Sequence, residues 1–206
     1  SAEFIFEDYA PEEGEIMNIM HPGVSGNRFT IPAEQNFDEG RYPSAAAPMW
    51  SSAIKGADVT MNHLCSILSL NFHGEGSIAK VELTASGAEN IAGEFMMGFS
   101  DGAYNGSVSG GSGAKITITF TPAVALSSDK VSTLNIPVLA GRYTKGFTAK
   151  VYNSDGIFQR IKMYSAGKVL DPLKVYERPD ALFNPVDNSG VIGDMDENIL
   201  YDYRIL

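Results

Sequence analysis

Apolar and polar residues alternate with a period of two from Leu64 to Phe72, and again from Ile78 to Ala85, Lys115 to Thr121, Leu134 to Val138 and Phe147 to Tyr152. Side chains on a β-strand point alternately to its two faces, so this period sets one row against a core and the other against water. Lys115 to Thr121 carries the pattern most plainly: Ile116, Ile118 and Phe120 share one face, and Lys115, Thr117, Thr119 and Thr121 the other. No convincing amphipathic helix competes with these runs, and no repeat of fixed period organises them. The fold class is therefore all-β. With no clustered catalytic residue types between the strands, the chain reads as a module that binds, adheres or assembles, not as an enzyme.

Turn residues separate the runs at Gly74-Glu75-Gly76, Ser86-Gly87, Gly93, Ser127-Ser128-Asp129, Gly141 and Asn153-Ser154-Asp155-Gly156, the last leading into a strand from Ile157 to Tyr164. Leu64 to Phe72 and Ile78 to Ala85 are predicted to pair as a hairpin. Gly98 to Gly113, rich in Gly and Ser, reads as a mobile loop. Strands at intervals of about ten residues predict a sandwich or a barrel. Toward the start, Phe4-Ile5-Phe6 reads as an edge strand beside an acidic segment (Glu7, Asp8, Glu12, Glu13, Glu15). From Phe29 to Met49 the breakers Pro32, Gly40, Pro43 and Pro48 predict an extended connector crossing the surface and forbid a long helix or a central strand. Asp171 to Asn198 reads as irregular, while Ile199, Tyr201, Tyr203 and Ile205 alternate again as a terminal strand. The expected organisation is one elaborated β-sandwich domain over 1–206 with 1–50 as an irregular, extended N-terminal lead. A boundary near 50–60, separating the remnant of an N-terminal domain, is the alternative.

At 206 residues and 44% hydrophobic the chain is long enough to bury a sizeable core. Its formal net charge of -10 argues against nucleic acid as a partner, because neutralising phosphates takes clustered Lys and Arg. Cys65 is the single cysteine, which excludes an intramolecular disulfide, a cysteine-based zinc cluster or a redox pair. Set in an apolar strand beside Leu64 and Ile67, it reads as a small buried hydrophobe and not as a nucleophile. No stretch approaches the ~20 apolar residues that span a bilayer, and the N-terminus lacks the regions of a signal peptide, so the reading is of a soluble chain. The opening Ser1-Ala2-Glu3, without an initiator Met, is compatible with a mature or trimmed form, and a removed export signal would leave no trace in this sequence, so composition does not give the location.

Candidate chemistry is sparse. The Gly-rich stretch Gly98 to Gly113 has no Gly-Lys-Ser or Gly-Lys-Thr and no following helix to hold an anion. His21, His63 and His73 share no metal-ligand spacing. Asp194-Met195-Asp196-Glu197, with Asp187 upstream, is the densest acidic group, but it lacks the spacing and glycine of a calcium loop and reads as solvated. Carboxylate pairs of the kind glycoside hydrolysis needs cannot be matched from sequence. The expectation is no catalytic residue, no cofactor and no metal. Trp50, with Tyr42 and Tyr9, could stack on a sugar; as a structural residue it closes one end of the core.

Several weak motifs occur in a telling order: Phe29-Thr30-Ile31-Pro32-Ala33-Glu34-Gln35, Tyr42-Pro43, Pro48-Met49, Asn62 through Leu70, Ile78 through Leu83 and Ile91-Ala92-Gly93. Ile136-Pro137-Val138, Gly141 through Val151 and Asp155-Gly156 continue it. Together, over residues 29–160, they resemble the fimbrillin-like (type V pilin) surface lipoproteins of anaerobic Gram-negative bacteria. The resemblance implies a transthyretin-like, Greek-key β-sandwich, mostly antiparallel, made from an exported, lipid-anchored precursor. It also implies assembly into fimbriae, or a place at a fimbrial tip or anchor, after a protease removes an N-terminal strand behind an arginine. The opened groove then receives a strand from the next subunit, which satisfies an unpaired edge. On that expectation Arg28 and Arg41 are candidate processing sites, and Ile199, Tyr201, Tyr203 and Ile205 a candidate donated or self-complementing strand. The family's lipidated Cys and first strands are missing or shortened here, and the acidic opening has no counterpart. Implied partners are other fimbrial subunits or copies of the chain, a host protein or a glycan, with the membrane met only through the precursor's lipid anchor. The implied location is the cell surface, outer membrane or fimbrium. The alternative is a surface carbohydrate-binding module using Trp50, Tyr42 or Tyr104.

Overall fold

A computed structural model describes residues 12–22, 27–54, 57–100 and 103–185. The edge strand expected at Phe4-Ile5-Phe6, Tyr9, the acidic group at Asp187 and Asp194 to Glu197, and the alternating Ile199 to Leu206 lie outside them. The first strands are β1 (Ile16–His21), β2 (Arg28–Ile31), β3 (Glu34–Asp38), β4 (Met49–Ile54), β5 (Asn62–His63), β6 (Cys65–His73), β7 (Ser77–Ala85) and β8 (Gly93–Ser100). They are followed by β9 (Ala103–Gly110), β10 (Lys115–Ala125), β11 (Ser132–Leu139), β12 (Gly141–Tyr143), β13 (Phe147–Tyr152) and β14 (Phe158–Met163). Short β15 (Lys168–Leu170), β16 (Val175–Glu177) and β17 (Ala181–Leu182) complete the series, and one 3-10 turn spans Ser44–Ala46. The chain is nearly all β, as the alternation predicts. Among the described residues no helix is long and apolar enough to cross a membrane.

Two sheets stack to form a sandwich. One runs β14-β13-β7-β10-β3, antiparallel except where β3 lies parallel to β10; the other runs β11-β6-β16, with β17 also on β6. Ile116, Ile118 and Phe120 point inward, as their spacing requires, and register sets Ile118 and Val151 on either side of Val81. Against them pack Leu68, Leu70 and Phe72 of β6 with Leu134, Ile136 and Val138 of β11. Burying a side chain of this kind contributes roughly 1.5–3 kcal/mol, and many of these are fully covered. A smaller apolar cluster lies where β2-β8-β9 meets β1-β4-β5: Phe29, Ile31, Phe95 and Met97, closed by Leu64, Cys65 and Leu139 from the ends of β6 and β11.

Four expectations are corrected. β6 and β7 are not a hairpin. They belong to opposite sheets, and Gly74 and Gly76, at φ of +136° and +92°, carry the chain from one to the other. Each strand has partners on both edges from farther along the chain, and alternation cannot tell pairing by edges from packing by faces. Second, the stretch from Gly98 to Gly113 is not a loop, because most of it is β9, laid antiparallel on β8 with Met97 opposite Val108 and Phe99 opposite Tyr104. An edge strand needs backbone partners more than apolar side chains. Third, 29–49 is not a surface connector: Phe29, Ile31 and Phe37 are 1%, 2% and 1% exposed in β2 and β3. Pro32 marks the point where the chain leaves one sheet for another, and both strands sit at sheet edges. Within 1–50, then, the described chain contributes β1, β2, β3 and the start of β4 in place of an extended lead. Fourth, the stretch after Asp171 supplies β16 and β17 before the described chain ends.

Candidate functional site

The nine residues of β6 divide by parity. Ser66, Leu68, Leu70 and Phe72 face inward and are buried, and the backbone N–H and C=O of these residues serve β11. The odd residues turn their backbone groups to the other side. There Leu173 N–H donates to the Cys65 carbonyl (3.1 Å), Ile67 N–H to Lys174 (2.9 Å), Arg178 N–H to Ser69 (2.9 Å) and Phe183 N–H to His73 (2.8 Å). Between Ser69 and Phe72 the pairing is interrupted, with Pro179 in the gap, and the Asn71 amide donates to the Arg178 carbonyl (2.9 Å) across it. The central strand of this sheet is thus covered on one side by three residues of β16 and two of β17, both parallel to it.

This cover is held by small contacts. The Ser66 hydroxyl donates to the Asp171 carbonyl (2.7 Å), Lys174 Nζ donates to Asp171 Oδ2 (2.8 Å), and Asp171 N–H donates to the Tyr176 hydroxyl (2.8 Å). The hydrogen bond from Lys174, and then its charge, hold the Asp171 carboxyl below the usual carboxylate range. Leu173, Val175 and Leu182 are 65%, 57% and 55% exposed, and Leu173 takes a left-handed φ of +62°. Exposed apolar side chains and a strained non-glycine residue both lower the stability of the segment that carries them. The opposite edge of the sheet differs. The bond from Ala140 N–H to the Leu64 carbonyl fixes the phase of the β6–β11 ladder and turns position 137 outward. That position is Pro137, which has no N–H to offer an added strand.

The residues singled out by sequence fall apart in space. Arg28 opens β2 and pairs with Glu94 of β8 at 2.7 Å, so the bond following it lies within a paired strand. Arg41 lies in the turn that bridges back to Asp38, its side chain 82% exposed and paired with Glu39 at 2.9 Å. Trp50 and Tyr104 do meet, their rings 4.5 Å apart with Phe99 alongside, but both are half-buried over the smaller cluster. Tyr42 stands elsewhere, against Phe37. No exposed row of these three forms. Cys65 is 3% exposed, and burial pushes its thiol up to about 12, which leaves no nucleophilic thiolate near neutral pH. His73 pairs with Asp180 at 2.7 Å, and among the described residues no three His, Cys, Asp or Glu converge as metal ligands do. The divided cover of β6 escaped sequence reading because its strands are three and two residues long.

No family model and no curated protein matches the chain. Its fold is similar to the crystal structure of a proposed cell adhesion protein from Bacteroides ovatus, with a TM-score of 0.51 and 13% identity over 88% of this chain and 68% of that one. At such low identity the likeness concerns the fold.

Proposed function

We propose that this chain is a structural and adhesive protein of the cell surface, a fimbrillin-like subunit or fimbria-associated component that assembles by strand donation and has no catalytic role. The observation that carries the reading is the two-piece, partly exposed cover of β6 beside a second edge closed by Pro137. A donated strand running the full length of β6 would satisfy more of its backbone than β16 and β17 do, and would bury apolar surface they leave exposed. Ile199, Tyr201, Tyr203 and Ile205 supply an alternating donor sequence. Arg41, in its exposed turn, is the better placed of the two processing candidates. The adhesive part of the reading gains support from the fold shared with the proposed adhesion protein of Bacteroides.

The test is to lock the cover in place. Ile67 and Val175 lie opposite one another in register, so Ile67→Cys with Val175→Cys can tie β16 to β6. The unlocked protein is expected to form strand-exchanged oligomers on concentration, the oxidised double variant to stay monomeric, and the reduced one to recover assembly, read by sedimentation velocity. Equal assembly of oxidised and reduced forms, or a monomer under every condition, rejects strand donation at this edge.

A further inference from the structure

The outward face of β14-β13-β7-β10 has the opposite sign to the chain as a whole. Register aligns three rows across these strands, from Phe158 through Tyr152 and Lys80, from Arg160 through Lys150 and Glu82, and from Lys162 through Thr148 and Thr84 to Lys115. Five cations, Lys80, Lys115, Lys150, Arg160 and Lys162, therefore share a face whose acids on these rows are Glu82 and, where the middle row runs on through Thr117 to β3, Glu34, on a chain of formal net charge -10. Glu82 is already engaged, accepting from Lys80 Nζ at 3.0 Å and from the Tyr152 hydroxyl at 2.9 Å. Strand spacing and residue rise place Lys80, Lys150 and Lys162 on a diagonal with steps of about 8 Å. A line of like charges on a flat lattice matches a linear polymer with repeated negative groups better than it matches a compact anion.

The aromatic residues on the face argue the same way. Lys80 Nζ stands 3.9 Å from the Tyr152 ring centroid and Lys150 Nζ 4.9 Å from that of Phe158. Each ring lies beneath an ammonium group, so the face presents charge where a neutral sugar would need a bare ring. We propose that this sheet face binds an anionic polysaccharide, one carrying uronate or sulfate groups along its length. The site is separate from the edge of β6. Only the choice of a polysaccharide over other polyanions rests on the surface-adhesive reading.

Immobilised chondroitin sulfate and polygalacturonate, with neutral dextran and duplex DNA as comparators, test it. The full chain is expected to bind both anionic polysaccharides and not dextran, and to lose about tenfold or more in affinity as salt rises from about 50 to 300 mM. Lys150→Glu with Lys162→Glu should weaken binding by about tenfold or more. The milder Lys150→Gln with Lys162→Gln should weaken it less, with an unchanged thermal midpoint. Lys130→Glu with Arg178→Glu, both off this face, should leave binding as it is. Equal binding of dextran, tighter binding of DNA, insensitivity to the Lys150 and Lys162 substitutions, or loss of self-association in place of polymer binding would each overturn the proposal. The oxidised Ile67→Cys, Val175→Cys protein should still bind, so failure of strand donation and failure of this site are read separately.

Discussion

The two apolar clusters are built to different standards. In the larger, Leu68, Leu70, Ile78, Val81, Leu83, Ile118, Ile136, Ala149 and Val151 are wholly removed from solvent and receive contacts from both sheets. In the smaller, Phe29 stacks on Phe95 at 5.4 Å and Met97 is buried beside them, but Met20, Trp50, Phe99, Tyr104 and Val108 are only partly covered. Segments that bury less apolar surface open at lower free energy. The strands around the smaller cluster should therefore loosen while the sandwich still holds. The two are joined where Leu64 leads into β6 at Cys65 and Leu139 ends β11, and where the buried Tyr143 hydroxyl of the larger cluster donates to the Leu139 carbonyl at 2.7 Å.

The largest expected effect comes from cutting one side chain out of each cluster. Phe72→Ala empties a fully buried site packed edge-on against Phe183 and should cost about 3–5 kcal/mol. Met97→Ala should cost about 2 kcal/mol, because its surroundings can collapse. The buried Cys65 thiol reports on the smaller cluster, since a thiol reagent reaches it only when that region opens. In urea, Met97→Ala should label at concentrations where the far-ultraviolet β signal is intact, and Phe72→Ala should lose both together. Coincident labelling and unfolding in both variants would mean one cooperative unit and remove the distinction.

A smaller effect sharpens the same contrast. Tyr143→Phe keeps the ring against Phe147, 4.4 Å away, and deletes only the hydroxyl that bonds Leu139. A buried hydrogen bond of this kind contributes about 1 kcal/mol. If it couples the clusters, Cys65 should label several-fold faster at low urea while the main transition moves by no more than that amount. An unchanged labelling rate would place the coupling in Leu64 and Leu139 packing alone.

Sequence and structure agree where alternation coincides with burial on one face. Lys115 to Thr121 and Phe147 to Tyr152 appear as strands with the inward residues their spacing demands. Pairing was not legible, since β6 and β7 alternate as a hairpin would and yet face each other across the core. Edge strands were missed for a related reason. β9 has little to bury beyond Tyr104 and Val108, and β2 and β3 are separated by Pro32, so composition resembles a loop while the backbone is paired along one side. The candidate site was less legible still. β16 and β17 are too short for any period, and the cationic face emerges only when register brings together residues from four strands.

Acid sensitivity gives the smallest expected effect and tests whether the sandwich gains stability from the outward face as well as from its core. Burial alone would raise the Glu82 carboxyl, but hydrogen bonds from Lys80 and Tyr152, with the charges of Lys80 and Lys115, outweigh it and hold the group below its ordinary value. A carboxyl lowered in the folded state binds protons more readily when unfolded. Its contribution is therefore complete above the unfolded value of about 4.3 and is lost as pH falls through the folded one. Glu82→Gln should be less stable than the parent by less than about 1 kcal/mol at neutral pH. That gap should close steadily below about pH 4. Some acid sensitivity will remain in the variant, because Glu89 is also lowered, its burial outweighed by hydrogen bonds from Thr144. A gap independent of pH, measured by urea unfolding across the acid range, would mean that Glu82 acts through shape and neutral hydrogen bonding, and that the charged face adds nothing to the stability of the sheet beneath it.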